Sequence, residues 1–200
     1  VSGQVEAQGS EQQVDAEQVD AEQVDATGVV TEVTVDLADA EATRAFGAAL
    51  AGLLRAGDLV VLTGDLGAGK TTLTQGIGTG LHVRGAVASP TFVIARVHPP
   101  LPHPDGSVGP TLVHVDAYRL GSPDEVDALD LDASLDEAVT VVEWGEGLVE
   151  SLADDRLEVA LRRPRGAQSS LDEDGDAAAG VRTVTVRARG DRWRGVALPV

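Results

Sequence analysis

Apolar residues fall along this chain in two alternating rhythms. Runs such as Leu59-Val60-Val61-Leu62 and Val139-Thr140-Val141-Val142 offer almost no polar face, the pattern of strands buried on both sides. Val30 to Val35 alternates apolar with polar residues and predicts a short strand. Leu157 to Leu161 and Val181 to Val186 alternate in the same way and read as a late hairpin, while Phe92 to Val97 and Thr111 to Asp116 complete the strands. Helical spacing fills the gaps. Asp39 offers an N-cap to a helix carrying Phe46, Leu50, Leu53 and Leu54, which Gly57 stops. A second helix runs through Leu73 and Ile77 to about Leu81. Ser122-Pro123-Asp124-Glu125 opens a third, with a cap, proline at the first helical position and an acid placed to close a capping box. Strands alternating with helices around apolar runs predict an α/β fold with a largely parallel central sheet and a late antiparallel hairpin.

Three stretches carry no such rhythm. Residues 1–28 repeat Glu17-Gln18-Val19-Asp20-Ala21 as Glu22-Gln23-Val24-Asp25-Ala26, and a five-residue period lines no face of a helix or strand. They read as a disordered acidic tail, ahead of a domain over residues 29–188 and a C-terminal tail over 189–200. His98 to Gly109 is a Pro/Gly/His loop in which His98 and His103 have no specific role, and Arg162 to Gly180 is an insertion loop.

Composition narrows the class. The 200 residues have a formal charge of -18, of which the acidic repeat contributes -7, and contain no cysteine and no methionine. A disulfide framework, a thiolate metal site and a cysteine nucleophile are therefore excluded. So much negative charge argues against broad contact with nucleic acid or an anionic membrane. No apolar run approaches the ~20 residues of a membrane span, and the acidic N-terminus is not a secretory signal, so a cytoplasmic protein is expected. Only five residues are aromatic, which leaves the core to Val, Leu and Ala.

The chemistry concentrates after the first apolar run. Gly64-Asp65-Leu66-Gly67-Ala68-Gly69-Lys70-Thr71 fits G-x-x-x-x-G-K-[ST], the P-loop, between a buried strand and a helix as that motif requires. Its glycines let backbone N–H groups converge on phosphate oxygens, and the following helix points its positive end at the same anion. Lys70 reaches the β- and γ-phosphates, and the Thr71 hydroxyl coordinates Mg²⁺. Lys70 is also the single lysine beside fourteen arginines. An arginine fork is a poor replacement for a compact ammonium between two phosphates. The P-loop makes the expected architecture a three-layer P-loop NTPase-type fold.

A P-loop fixes the ligand and leaves the reaction open. With one lysine, an N-K-x-D guanine motif cannot exist, and no L-S-G-G-Q-like transporter signature is present. A small-molecule kinase survives, because Arg162, Arg163 and Arg165 could form a lid. Asp116 and Glu143 each end an apolar strand at a carboxyl edge, where open α/β sheets bind ligands. Either could serve the metal or align the attacking water. Ser89-Pro90-Thr91-Phe92 is either a plain turn or a switch whose Thr91 faces the γ-phosphate or metal. Phe92, Tyr118 and Trp144 lie within these segments, as core or as pocket, and His114 reads as an orienting or packed histidine. Arg187, Arg189, Arg192 and Arg194 around Trp193 could touch phosphate or pair with the chain's own acids.

In order along the chain, G-D-L-G-A-G-K-T-T from Gly64, S-P-T-F from Ser89, H-V-D-A-Y-R from His114 and E-W at Glu143 resemble the TsaE (YjeE) family of bacterial P-loop ATPases. The resemblance spans roughly Leu37 to Val186, leaving the acidic repeat, the His98 to Gly109 loop and the Arg162 to Gly180 insertion outside the family core. It implies slow ATP hydrolysis serving threonylcarbamoyladenosine synthesis on tRNA, alongside TsaB and TsaD homologues, with tRNA met only indirectly. It also implies that Leu66, Gly67, Ala68, Gly69, Lys70 and Thr71 hold the phosphates, with Thr72 in the same stretch. Thr71 and Glu143 would lie at Mg²⁺, Asp116 at metal or water, and Thr91 in the switch. Trp144 would lie beside the nucleotide, and Ala40 to Thr43 near the adenine. A nucleotide-dependent binding switch with incidental hydrolysis stays open as a rival reading.

Overall fold

The computed structural model describes residues 28–163 and 180–200; the acidic repeat and the heart of the Arg162 to Gly180 insertion lie outside them. Seven strands form one sheet: β1 (Val29–Leu37), β2 (Leu59–Thr63), β3 (Ala95–His98), β4 (Thr111–Asp116), β5 (Ala138–Glu143), β6 (Arg156–Arg162) and β7 (Arg182–Arg189). Their order is β1-β7-β6-β2-β5-β4-β3. The four central strands β6, β2, β5 and β4 run parallel. β7 returns antiparallel beside β6 as the expected hairpin. The sequence left both edges open: β1 pairs antiparallel with β7, and β3 antiparallel with β4.

Helices α1 (Ala40–Ala51) and α2 (Lys70–Gly80) cover one face, and the short α3 (Pro123–Asp127) and α4 (Asp132–Leu135) the other. β2 is buried on both faces, Val60 and Leu62 toward α1 and α2, Leu59 and Val61 toward α3 and α4. The core is aliphatic as composition requires, with Phe46 and Trp193 the only aromatic residues fully enclosed in it.

Several local expectations change for identifiable reasons. Asp39 caps α1 as predicted, accepting from Ala42 N at 2.8 Å, but the helix stops at Ala51, well short of Gly57. Leu53 and Leu54 still reach the core, from tight turns in which their amides donate to Leu50 and Ala51 carbonyls. The strand foreseen from Phe92 begins only at Ala95, because Val93 and Ile94 amides both turn back to Pro90 O and Ile94 sits at φ +67°. Glu125 does not close a capping box on Ser122; its carboxylate accepts from Gly121 N at 2.8 Å, one residue earlier. His98 ends β3 and is buried, and that burial pushes its imidazole pKa down.

Residues 189–200 pack onto the domain, with Trp193 fully buried in the core. Arg192 anchors them: Nε and Nη2 donate to the two Asp58 carboxylate oxygens at 3.2 and 3.1 Å, and Nη2 also to Leu53 O at 2.8 Å. Asp58 is itself buried and accepts from Arg55 N. Breaking a buried pair strands a charge, so Asp58→Ala is expected to cost about 3 kcal/mol. A thermal melt coinciding with that of the parent chain would show that the pair does not hold the C-terminus.

Candidate functional site

The loop between β2 and α2 starts at the carboxyl edge of the parallel strands. Its three glycines, Gly64, Gly67 and Gly69, all have positive φ, and at two of them a side chain would also be crowded. Gly64 has φ +140°, and a Cβ there would lie 2.3 Å from Leu161 O. Gly69 has φ +107° and caps α2, and a Cβ there would lie 3.1 Å from Arg182 Nε. The register of the sheet does the rest. Asp116 and Glu143 are direct partners across β4 and β5, and Leu62 of β2 sits beside Glu143. Two carboxylates thus arrive at one edge next to the loop, as open parallel sheets allow.

The side chains converge. Thr71 Oγ1 donates to Glu143 Oε1 at 2.8 Å, and His114 Nε2 donates to the same oxygen at 2.9 Å. His114 is fully buried and fixes Glu143, the orienting role its place in β4 suggested. Asp116 Oδ1 accepts from Tyr118 N at 3.1 Å, while Oδ2 accepts from Ser89 Oγ at 3.1 Å and from Thr91 Oγ1. The Ser89-Pro90-Thr91 segment is therefore the proline turn the sequence allowed, with its two hydroxyls tied to a carboxylate at the cavity. Phe92 belongs to neither core nor cavity; it is exposed, with the Arg119 guanidinium 5.3 Å from its ring centre.

Lys70 Nζ donates to Gly64 O at 2.7 Å and Asp65 O at 3.1 Å, and lies 3.7 Å from the centre of the Trp144 ring. Burial pushes its pKa down, while the carboxylates of Glu143, Asp116 and Asp65 oppose that shift and favour the charged form. Trp144 occupies the left-handed region at φ +61°, a strained conformation for a bulky residue. Its backbone N–H bonds Leu62 O at 3.0 Å, and its ring tilts against Tyr118 with centroids 5.3 Å apart. The strain turns the indole out of the sheet and over the lysine.

Together these groups enclose a cavity of about 460 Å³. Of the residues singled out from sequence, Leu66, Gly67, Gly69, Lys70, Thr71, Thr72, Thr91, Asp116, Glu143 and Trp144 line it. Ala68 lies buried beneath the loop. Thr43 stands apart: it is buried in α1, and its hydroxyl donates to Asp39 O at 2.7 Å. Ser89, Tyr118 and Arg182 join the lining. Arg182 went unnoticed in the sequence, though it left a trace, being the charged residue in step with Val184, Val186 and Ala188 on the core-facing side of β7.

The basic C-terminal stretch is committed to acids of its own chain. Arg187 pairs with Glu32, Arg189 with Glu158, Arg192 with Asp58 and Arg194 with Asp191. Of the three arginines considered for a lid, Arg163 reaches Gly67 O at 3.5 Å, Arg162 is exposed at the end of β6, and Arg165 lies outside the described residues. No helix among the described residues is long and apolar enough to cross a membrane.

Residues 37–170 match the family described as "Threonylcarbamoyl adenosine biosynthesis protein TsaE". A Streptomyces coelicolor protein named tRNA threonylcarbamoyladenosine biosynthesis protein TsaE is 60% identical over 151 residues, 75% of this chain and 93% of that one. The Bacillus subtilis protein of the same name is 38% identical over 124 residues, covering 62% of this chain and 73% of that one. Among solved structures, a crystal structure of Bacillus subtilis YdiB superposes with a TM-score of 0.57 at 29% identity, covering 82% of this chain and 89% of that one.

Proposed function

Since this chain belongs to the TsaE family, we propose that it is a Mg²⁺-dependent ATPase serving threonylcarbamoyladenosine modification of tRNA, in the cytoplasm, together with TsaD and TsaB homologues. One observation carries the catalytic half of this reading: Lys70, Thr71, Asp116 and Glu143 meet in one cavity at the mouth of a P-loop. The P-loop amides and the N-terminus of α2 would cradle the phosphates, with Lys70 moving from the Gly64 and Asp65 carbonyls onto phosphate oxygens.

The donor set suits Mg²⁺, because Thr71, Glu143 and Asp116 all present oxygen, the ligand a hard cation takes. Among the described residues no group of three His, Cys, Asp or Glu side chains would hold a metal unaided. That fits a cation that shares its coordination with substrate phosphates. When bound, Mg²⁺ would neutralise charge on the β- and γ-oxygens. His114 keeps Glu143 aimed at Thr71. Asp116, tied to Ser89 and Thr91, couples the carboxylate edge to the switch segment. Glu143→Ala is expected to raise the Mg²⁺ concentration needed for half-maximal ATP hydrolysis by about tenfold, with the fold retained. An unchanged metal titration would remove Glu143 from the site.

Two surface features support action through protein partners. Leu66 is 91% and Tyr118 64% exposed at the mouth of the cavity, with Phe92 exposed next to Thr91. Exposed apolar groups beside a nucleotide site fit a docking partner that feels the nucleotide. The four C-terminal arginines, already paired, leave tRNA to be met through the partner complex. Phosphate release measured with and without the TsaD–TsaB pair tests the proposal: release to water, stimulated by the pair, is expected. Transfer of phosphate to a small acceptor would make the chain a kinase, and ATP-dependent partner affinity without turnover would make it a switch.

A further inference from the structure

We propose that Arg182 is a phosphate-positioning residue, a buried guanidinium that holds the P-loop in its receiving shape and supplies the second cation of the phosphate cavity. The inference rests on the nucleotide reading of that cavity and extends it to a residue on the far strand of the hairpin.

β7 runs antiparallel to β6, so its first residue lies at the carboxyl edge of the parallel strands, where the P-loop begins. Alternation then faces Arg182 inward with Val184, Val186 and Ala188, and its side chain is buried to 2% exposure. The guanidinium lies against the loop itself, since a Cβ on Gly69 would come within 3.1 Å of Nε and 3.4 Å of Cδ. Nη1 donates to Gly180 O at 2.8 Å, which fixes the plane of the group. Five donors in one plane can hold that carbonyl and a phosphate oxygen at once.

The cavity wall carries two basic side chains, Lys70 and Arg182, on the side of the loop, and Asp116 and Glu143 at the strand ends. Lys70 can move between the Gly64 and Asp65 carbonyls and a ligand, whereas Arg182 is held by the end of β7. One cation follows the phosphates; the other stays to define where they sit.

The experiment compares the parent with Arg182→Gln and Arg182→Lys, measuring ADP and pyrophosphate affinity by calorimetry and the fold by circular dichroism. Folded Arg182→Gln is expected to lose about tenfold or more for both ligands, with Arg182→Lys recovering part of it. Parental affinity in a folded Arg182→Gln chain overturns the proposal. Should that variant not fold, the parent chain decides through NMR of the arginine Nε–Hε signal, assigned by its disappearance in Arg182→Lys. Saturation with pyrophosphate is expected to shift that signal, and an unmoved signal overturns the proposal. If the parent itself binds neither ADP nor pyrophosphate, the nucleotide reading of the site fails instead.

Discussion

Lys70→Ala is expected to weaken ATP binding by about a hundredfold or more, roughly 3 kcal/mol, while the chain still melts as a folded domain. Three losses combine. The ammonium that would bridge β- and γ-phosphate oxygens disappears. Gly64 and Asp65 carbonyls lose the donor that draws the ends of the loop together. Trp144 loses the cation under its ring and with it the reason for its strained backbone. Stability should change less than binding, because removing Lys70 also relieves the cost of burying its charge, the main cause of its lowered pKa. Titration calorimetry with Mg-ATP is the measurement. Micromolar affinity in a folded Lys70→Ala chain would sink the P-loop assignment. Lys70→Arg should fail nearly as badly, since a wider planar group must fit a slot where Nζ lies 2.7 Å from Gly64 O.

Gly76→Ala is expected to destabilise the domain by about 3 kcal/mol, with Gly76→Val worse. On a solvent-facing helix the same change would stabilise, since alanine is the better helix former by about 1 kcal/mol. Here the sign reverses because α1 and α2 pack with their backbones nearly touching. A Cβ at Gly76 would lie 2.1 Å from Arg44 O and 2.8 Å from Arg44 C, and one at Gly47 would lie 2.4 Å from Leu73 O. All of these are backbone atoms of helices, so no rotamer can yield. The chain must separate α1 from α2 or abandon α2's position. Because α2 begins at Lys70, any such shift also moves the lysine and Thr71 relative to Glu143. The denaturation midpoint should fall and nucleotide affinity with it; a Gly76→Ala chain with the parental midpoint would contradict the close crossing.

Much of the site was legible because its parts are local. The P-loop is a contiguous segment whose glycines and flanking elements can be recognised without knowing what surrounds them. Asp116 and Glu143 were legible for a related reason, since an acid ending an apolar run marks a carboxyl edge wherever the strand lies. The misjudged boundaries share one origin. Leu53 and Leu54 carry apolar side chains at helical spacing, but their amides bond to Leu50 and Ala51 in turns, and just after Phe92 the Val93 and Ile94 amides turn back to Pro90 O. Spacing reports where side chains point and says little about which carbonyl an amide chooses. Thr43, which the family resemblance implies lies near the adenine, gives its hydroxyl to Asp39 O.

The sequence by itself determined the alternation of strands and helices, the aliphatic core, the position of the phosphate loop and the singular place of Lys70. These follow from neighbouring residues, whose interactions need no long-range partner to be specified. Only the tertiary structure decided that Asp116 and Glu143 sit side by side, that His114 aims Glu143 at Thr71, and that Arg182 reaches back to Gly69. Those pairings join residues dozens of positions apart through sheet register. A shift of one residue in that register would turn every side chain of a strand to the opposite face.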